Sequence, residues 1–230
     1  FYSSIRPKRT TGRCERPITA LAERGVQYIE VRCLDIDPSE PTGISAQTAR
    51  FVDAFLLFCA TSDSPYFGDS GFCPESAENF SLVVKRGREP GLMLSQQGKK
   101  ISLTDWATEL LDQISQCADT FGQALKEPAY NLAVAEQRAK VGDASLTPSA
   151  KLLEALRQQH LSFHQYALQT SQVHADHLRK IGLAAEEANQ AQLQVKQSLA
   201  EQKSLEEDET ESFDDYVARF HQALKAPKIS

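Results

Sequence analysis

Between residues 26 and 32 apolar and polar positions alternate, whereas beyond residue 45 the apolar positions recur every third or fourth residue. The first pattern, Val26-Gln-Tyr-Ile-Glu-Val-Arg32, predicts a strand rich in β-branched and aromatic side chains. Alternation sends Val26, Tyr28, Glu30 and Arg32 to one face. Gln27, Ile29 and Val31 go to the other, where Ile29 and Val31 suit a core. Residues 2–9 read as a second extended segment, confined by Pro7 to a sheet edge or strand end. A short helix is expected over 15–24, with Gly25 as a left-handed cap. Pro38, Pro41 and Gly43 close this region with turns.

The rest of the chain reads mainly as helix. Ser45 is the expected N-cap of a helix bearing Phe51, Val52, Phe55, Leu56 and Phe58. Cys59, inside the same apolar run, reads as a small buried hydrophobe. Residues 63–74 form a loop with Pro65, Gly68, Gly71 and Pro74, and a helix follows over 75–86. After the turn Glu89-Pro90-Gly91, Ser102 or Thr104 caps a helix carrying Leu103, Ala107, Leu110, Leu111 and Ile114. Another helix is expected over 128–140. Thr147-Pro148 starts a further one that reaches Gly182, because proline suits the first helical position. Helices over 183–205 and 212–225 complete the chain, and no internal repeat is present.

Composition limits the function classes. The 230 residues are 41% hydrophobic, too apolar for a disordered chain and enough for a sizeable core. No apolar run approaches the length of a membrane span. A net charge of -6 argues against a general nucleic-acid binder. The charge is unevenly placed. Residues 1–32 hold seven basic groups against three acidic ones, and residues 186–215 hold ten acidic groups against two basic ones. The acidic stretch, with its linker Glu206-Glu-Asp-Glu-Thr-Glu211, reads as a solvated face. The basic end places its cations on strands and turns, where a phosphate-bearing ligand can be held. Five scattered cysteines without a CxxC fit reduced thiols in the cytosol, where the sequon Asn79-Phe80-Ser81 stays unmodified. Residue 1 is Phe and no signal sequence follows, so the expectation is a chain that starts partway through a longer gene product.

Three candidate sites compete. Gly91 to Lys99 imitates a phosphate loop, but six residues separate Gly91 from Gly98 where four are required. Lys100 also stands where Ser or Thr belongs, so the phosphate-loop reading is rejected. His160/His164 and His174/His177 share helix spacing suited to a metal, yet their surroundings favour solvated or interhelical histidines. Glu30 and Arg32 project together from one strand face. They read either as an exposed ion pair, or as a carboxylate for a hard cation beside a guanidinium for phosphate.

Ser4-Ile-Arg-Pro-Lys-Arg9, Gly25-Val-Gln-Tyr-Ile-Glu-Val-Arg32 and Leu34-Asp-Ile-Asp-Pro38 resemble a region of the glutamate–cysteine ligases of proteobacterial type. The similarity runs on through Gly43, Arg50-Phe-Val-Asp-Ala-Phe-Leu-Leu56 and Gly87-Arg-Glu-Pro-Gly-Leu92. It is weaker at Leu146-Thr-Pro-Ser-Ala-Lys-Leu-Leu153 and Glu211-Ser-Phe-Asp-Asp-Tyr-Val217. The resemblance is dense over residues 1–60 and diffuse beyond. It implies an α+β fold in which a mostly helical C-terminal part contributes one or two strands to an antiparallel, glutamine synthetase-like catalytic sheet. Residues 1–62 would belong to the catalytic core and 63–230 to a helical C-terminal region.

The implied activity is ATP-dependent ligation of L-glutamate to L-cysteine through a γ-glutamyl phosphate, the first step of glutathione biosynthesis, with ATP and Mg²⁺ as cofactors. By motif position, Glu30 matches a magnesium ligand and Arg32 a catalytic arginine beside the transferred phosphoryl group. Arg6 and Lys8 match basic residues near the nucleotide, and Tyr2 stands near it too. The other metal ligands and most residues for glutamate and cysteine belong to the family's N-terminal half. That half is the implied partner, and the isolated polypeptide is expected to be inactive. The competing expectation is a non-catalytic helical interaction or regulatory domain. Neither reading involves nucleic acid or a membrane.

Overall fold

A computed structural model describes residues 4–12, 15–64, 66, 72–208 and 210–222. Tyr2, Arg13, Cys14, Pro65, Gly68, Gly71 and the expected helix beyond Gln222 lie outside the described residues. The elements in chain order are β1 (Ile5–Lys8), α1 (Pro17–Arg24), β2 (Tyr28–Val31), α2 (Ala46–Thr61) and α3 (Pro74–Arg86). β3 (Met93–Gln96), β4 (Lys99–Ser102), α4 (Leu103–Leu125) and α5 (Ala129–Gly142) follow. A 3₁₀ turn over Ala144–Leu146 leads to α6 (Pro148–Gln159), α7 (Phe163–Ile181), α8 (Ala185–Glu207) and α9 (Phe213–Gln222). The α+β character is as expected, with helix dominant and two small antiparallel sheets, β1–β2 and β3–β4. Two compact units divide the chain: Phe1–Asp35 with Leu178–Ser230, and Ile36–His177. The expected 62/63 boundary lies inside the unit Ile36–His177, at the end of α2, and does not coincide with the division between the units.

In the unit Ile36–His177, α2, α4 and α5 build the core. Ala54, Leu111, Ile114, Ala118, Tyr130 and Val134 are buried together, flanked by Phe51, Phe58, Leu110 and Phe121. Ala54 and Ala118 are fully buried, and their small side chains let the helices approach closely. Tyr130 stacks on Phe121 with centroids 5.0 Å apart, and its hydroxyl donates to Asp53 Oδ2 at 3.4 Å. The caps are local and match the sequence. Ser45 Oγ accepts from the Thr48 N–H, Ser102 Oγ from Asp105, and Thr147 Oγ1 from Ala150.

The β3–β4 hairpin is an addition to the reading of this region, which assigned no element between the turn at Gly91 and the helix capped near Ser102. Gln96 pairs with Lys99, so the loop is the two residues Gln97-Gly98, both at positive φ (52° and 77°). That is a primed turn, whose twist suits a hairpin and whose second position favours glycine. The turn is held by α3. Glu75 accepts from the Gln97 and Gly98 N–H groups at 2.9 and 2.8 Å and from the Ser95 hydroxyl at 2.7 Å. Asn79 exchanges two hydrogen bonds with the Ser95 backbone. The bonds that Glu75 accepts, led by the Gly98 N–H and then the Ser95 hydroxyl, hold its carboxyl below the usual carboxylate range.

Further corrections concern helix ends and exposure. The helix expected from Pro148 to Gly182 is broken. His160 takes a left-handed conformation (φ 54°, ψ 38°), and Ser162 and Gln165 form a reciprocal cap that starts α7. His160 and His164 therefore do not share a helix face. Gly25 ends α1 at φ 71° and ψ -174°, an extended positive-φ conformation reserved for glycine and not a left-handed helical cap. Cys59 is exposed, contrary to its expected burial. In an almost unbroken apolar run, local spacing does not say which side meets α4 and α5.

In the unit Phe1–Asp35 with Leu178–Ser230, the ring stack Phe213–Tyr216–Phe220 runs along α9. The Arg16 guanidinium lies 4.0 Å over the Phe220 ring and donates to the Phe220 carbonyl at 3.2 Å. Ile29, expected in a core, is 44% exposed, and Ile5 is 40% exposed.

Candidate functional site

β1 and β2 run antiparallel, with Arg6 opposite Glu30, Pro7 opposite Ile29 and Lys8 opposite Tyr28. Backbone bonds from Arg32 N–H to the Ser4 carbonyl and from Gln27 N–H to the Lys8 carbonyl extend the ladder at both ends. Directly opposed residues share a face, so this register places Arg6, Lys8, Tyr28, Glu30 and Arg32 together. Ile5, Pro7, Ile29 and Val31 take the other face. The alternation read from β2 is thus correct. The register adds that β1 delivers its two cations to the same side.

The contacts are specific. Lys8 Nζ sits 2.8 Å from Glu30 Oε2, and Arg32 Nε donates to Glu30 Oε1. Each carboxylate oxygen therefore has its own cation. The Lys8 ammonium first, and the Arg32 guanidinium with it, draw the Glu30 carboxyl down to about 2, so it is ionised at neutral pH. The side chains of Lys8, Glu30 and Arg32 keep 32%, 34% and 37% exposure, which leaves them within reach of a ligand. Arg6 is half-buried on the same face. A second charged contact lies nearby in sequence. Arg24 holds Glu15 through two bonds of 2.7 Å, and the Gly12 N–H adds a third.

This face is suited to an anion with several oxygens. Arg32 supplies a planar guanidinium and Lys8 a compact charge. By themselves the described residues do not fit a magnesium ion. Glu30 is one carboxylate, both its oxygens are engaged, and no group of three His, Cys, Asp or Glu side chains comes together among the described residues. The histidine pairs do not change this, since His174 Nε2 lies 3.1 Å from the Pro38 carbonyl oxygen.

Comparison with known proteins is decisive about family. The sequence model described as glutamate–cysteine ligase matches residues 1–83. A glutamate–cysteine ligase of Bordetella petrii is 61% identical over 227 residues, which is 99% of this chain and 43% of the relative. The chain belongs to the glutamate–cysteine ligase family. A ligase of Pseudomonas paraeruginosa is 49% identical over 97% of the chain and 42% of its own length. Among solved structures, the glutamate–cysteine ligase of Francisella tularensis in complex with AMP matches with a TM-score of 0.85 at 37% identity. That match covers 97% of this chain and 44% of the Francisella chain. The chain thus spans about two fifths of the length of the family members it matches.

Of the residues singled out in the sequence, the hairpin brings Arg6, Lys8, Glu30 and Arg32 together. Sequence spacing paired only Glu30 with Arg32. The contact of Lys8 with Glu30 links residues 22 positions apart (|8−30|), and only the strand register makes it visible.

Proposed function

We propose that this chain takes part in ATP-dependent ligation of the γ-carboxylate of L-glutamate to the amine of L-cysteine, the first step of glutathione biosynthesis. The γ-phosphoryl group of ATP passes to the glutamate γ-carboxylate and ADP leaves. The cysteine amine then attacks the acyl carbon, and inorganic phosphate departs with the C–O electron pair. The observation that supports this most is 60–61% identity to glutamate–cysteine ligases across 99% of the chain. The AMP bound to the Francisella ligase supports a nucleotide as ligand.

In this proposal Arg32 donates to the oxygens of the phosphoryl group in flight, where negative charge builds up. Donors already aimed at such charge need no reorganisation during the reaction. Lys8 and Arg6 hold the remaining phosphates of the nucleotide. Glu30 keeps Lys8 and Arg32 in place; it would lend an oxygen to magnesium only by releasing one of these cations, with the metal's other ligands supplied from outside the described residues. Residues 1–62 belong to the catalytic core, completed by the part of the family's length that this chain does not span. A cytoplasmic location belongs to the same proposal. It is supported by free thiols at Cys33, Cys59, Cys73 and Cys117.

The test is a chimera in which these 230 residues replace the matching stretch of the Bordetella petrii ligase. Phosphate release that requires glutamate, cysteine and ATP together is the expected result, with none from the 230 residues alone. A folded chimera without that activity overturns the assignment.

A further inference from the structure

We propose that the cavity lined by the α3–β3 turn, the 3₁₀ turn and α6 binds a small multivalent anion with a compact aliphatic body. The cavity measures about 670 Å³ and is lined by Arg88, Ser145, Lys151, Leu153, Glu154 and Arg157, among others. Three cations face one acid there, in a chain whose net charge is -6.

The neighbouring charges show which of these cations are uncommitted. On the α3–β3 turn, Arg86 is bound to Glu89 by two hydrogen bonds of 2.7 and 2.6 Å. Arg88, two residues on, has no hydrogen-bond or ion-pair partner among the described residues and lines the cavity. On α6, Lys151 and Glu154 are one turn apart and could pair. Instead Glu154 accepts from Arg157 at 3.2 Å and from Gln158 at 3.0 Å. The only acid in the lining is thereby engaged twice, and Lys151 has no hydrogen-bond or ion-pair partner among the described residues. Two unpartnered cations from separate elements repel each other across it, and an anion bridging them relieves that repulsion. Ala144, Ala150, Leu153 and Ala155 supply an apolar wall, which suits the carbon body of a phosphate ester or a polycarboxylate. Arg88 and Lys151 are exposed and open to exchange with solvent. This proposal uses none of the residues assigned to nucleotide or metal above, and it stands or falls separately from that assignment.

The experiment is an amide NMR titration of the 230-residue chain at low salt, once with inorganic pyrophosphate and once with citrate. Saturable shifts are expected at Ser145, Ala150 and Lys151 with at least one probe. Response to pyrophosphate alone identifies phosphate esters, and response to citrate alone identifies polycarboxylates. Arg88→Ala and Lys151→Ala should each weaken binding roughly tenfold, the usual scale for one charge-assisted hydrogen bond. Arg88→Lys should lose less, and Glu154→Gln should tighten binding by removing the only acid. Added sodium chloride should weaken binding throughout. Absence of saturable shifts around the cavity with both probes overturns the proposal. So do shifts confined to Arg6, Lys8 and Arg32, or affinity unchanged by Arg88→Ala and Lys151→Ala in variants that keep the wild-type amide spectrum.

Discussion

The α2–α4–α5 core and the β1–β2 hairpin use opposite chemistry. In the core, helices bury Ala54, Leu111, Ile114 and Val134 without a charged group among them. In the hairpin, four-residue strands carry Arg6, Lys8 and Glu30 on one face, with Arg32 just past the end of β2, and leave Ile5 and Ile29 about two fifths exposed on the other. A two-stranded ribbon with so little burial contributes little stability by itself. The contrast teaches that stability and chemistry are separated in this chain. The helices stabilise the fold, while the hairpin holds charges whose mutual attraction is worth little at an exposed site but whose arrangement suits phosphate.

That contrast can be broken by substitution. Arg32→Ala in the chimera is expected to lower turnover about a thousandfold, the scale for a donor aimed at transition-state charge. Its thermal midpoint should stay close to that of the parent, since exposed ion pairs contribute little. Steady-state assay beside calorimetry checks both. A near-normal rate would remove the catalytic role of Arg32. Ile114→Ala should show the reverse. Leaving a cavity at a site 2% exposed costs ~2–5 kcal/mol of unfolding free energy, measured by urea denaturation, with the rate per folded molecule unchanged.

A smaller effect is expected at the second hairpin. Gly98→Ala forces a β-carbon into a backbone at φ 77° and should cost about 1–2 kcal/mol, together with loss of amide protection at Gln97. Retained protection there would mean that Glu75 alone secures the turn.

The smallest effect separates charge from packing through pH. Arg24 first, then the Gly12 N–H, lowers the Glu15 carboxyl from 4.5 to about 2. Its folded value lies below the unfolded one. The stabilisation is therefore complete above about 4.5 and is lost as pH falls toward about 2. Carboxyl NMR should show Glu15 titrating near the lower limit, and Arg24→Gln should move it back toward 4.5. A titration that ignores Arg24 would discard the pair.

Much of this architecture was legible because it is local. Ser45 and Thr147 announce helix starts through hydrogen bonds that span three residues. The face shared by Glu30 and Arg32 follows from strand alternation alone. The β3–β4 hairpin was not legible. Met93-Leu-Ser-Gln96 lacks β-branched residues, and Gln97 occupies a positive-φ position usually given to Asn, Asp or Gly. The break at His160 was hidden for a related reason. Histidine in a left-handed cap carries no strong stop signal, although Ser162 and Gln165 together mark a new start.

By itself the sequence determined most helical periods, the N-caps Ser45 and Thr147, the charge asymmetry and the motif that relates this chain to glutamate–cysteine ligases. All of these depend on residue identity and short spacing. The tertiary structure alone decided which faces are covered: Cys59 faces solvent, and Ile29 remains open. It also decided which distant charges meet, placing Lys8 on Glu30 while Arg88 and Lys151 line one cavity without partners among the described residues. Burial and long-range pairing arise from elements packing in three dimensions, and no local pattern encodes a neighbour that is far away along the chain.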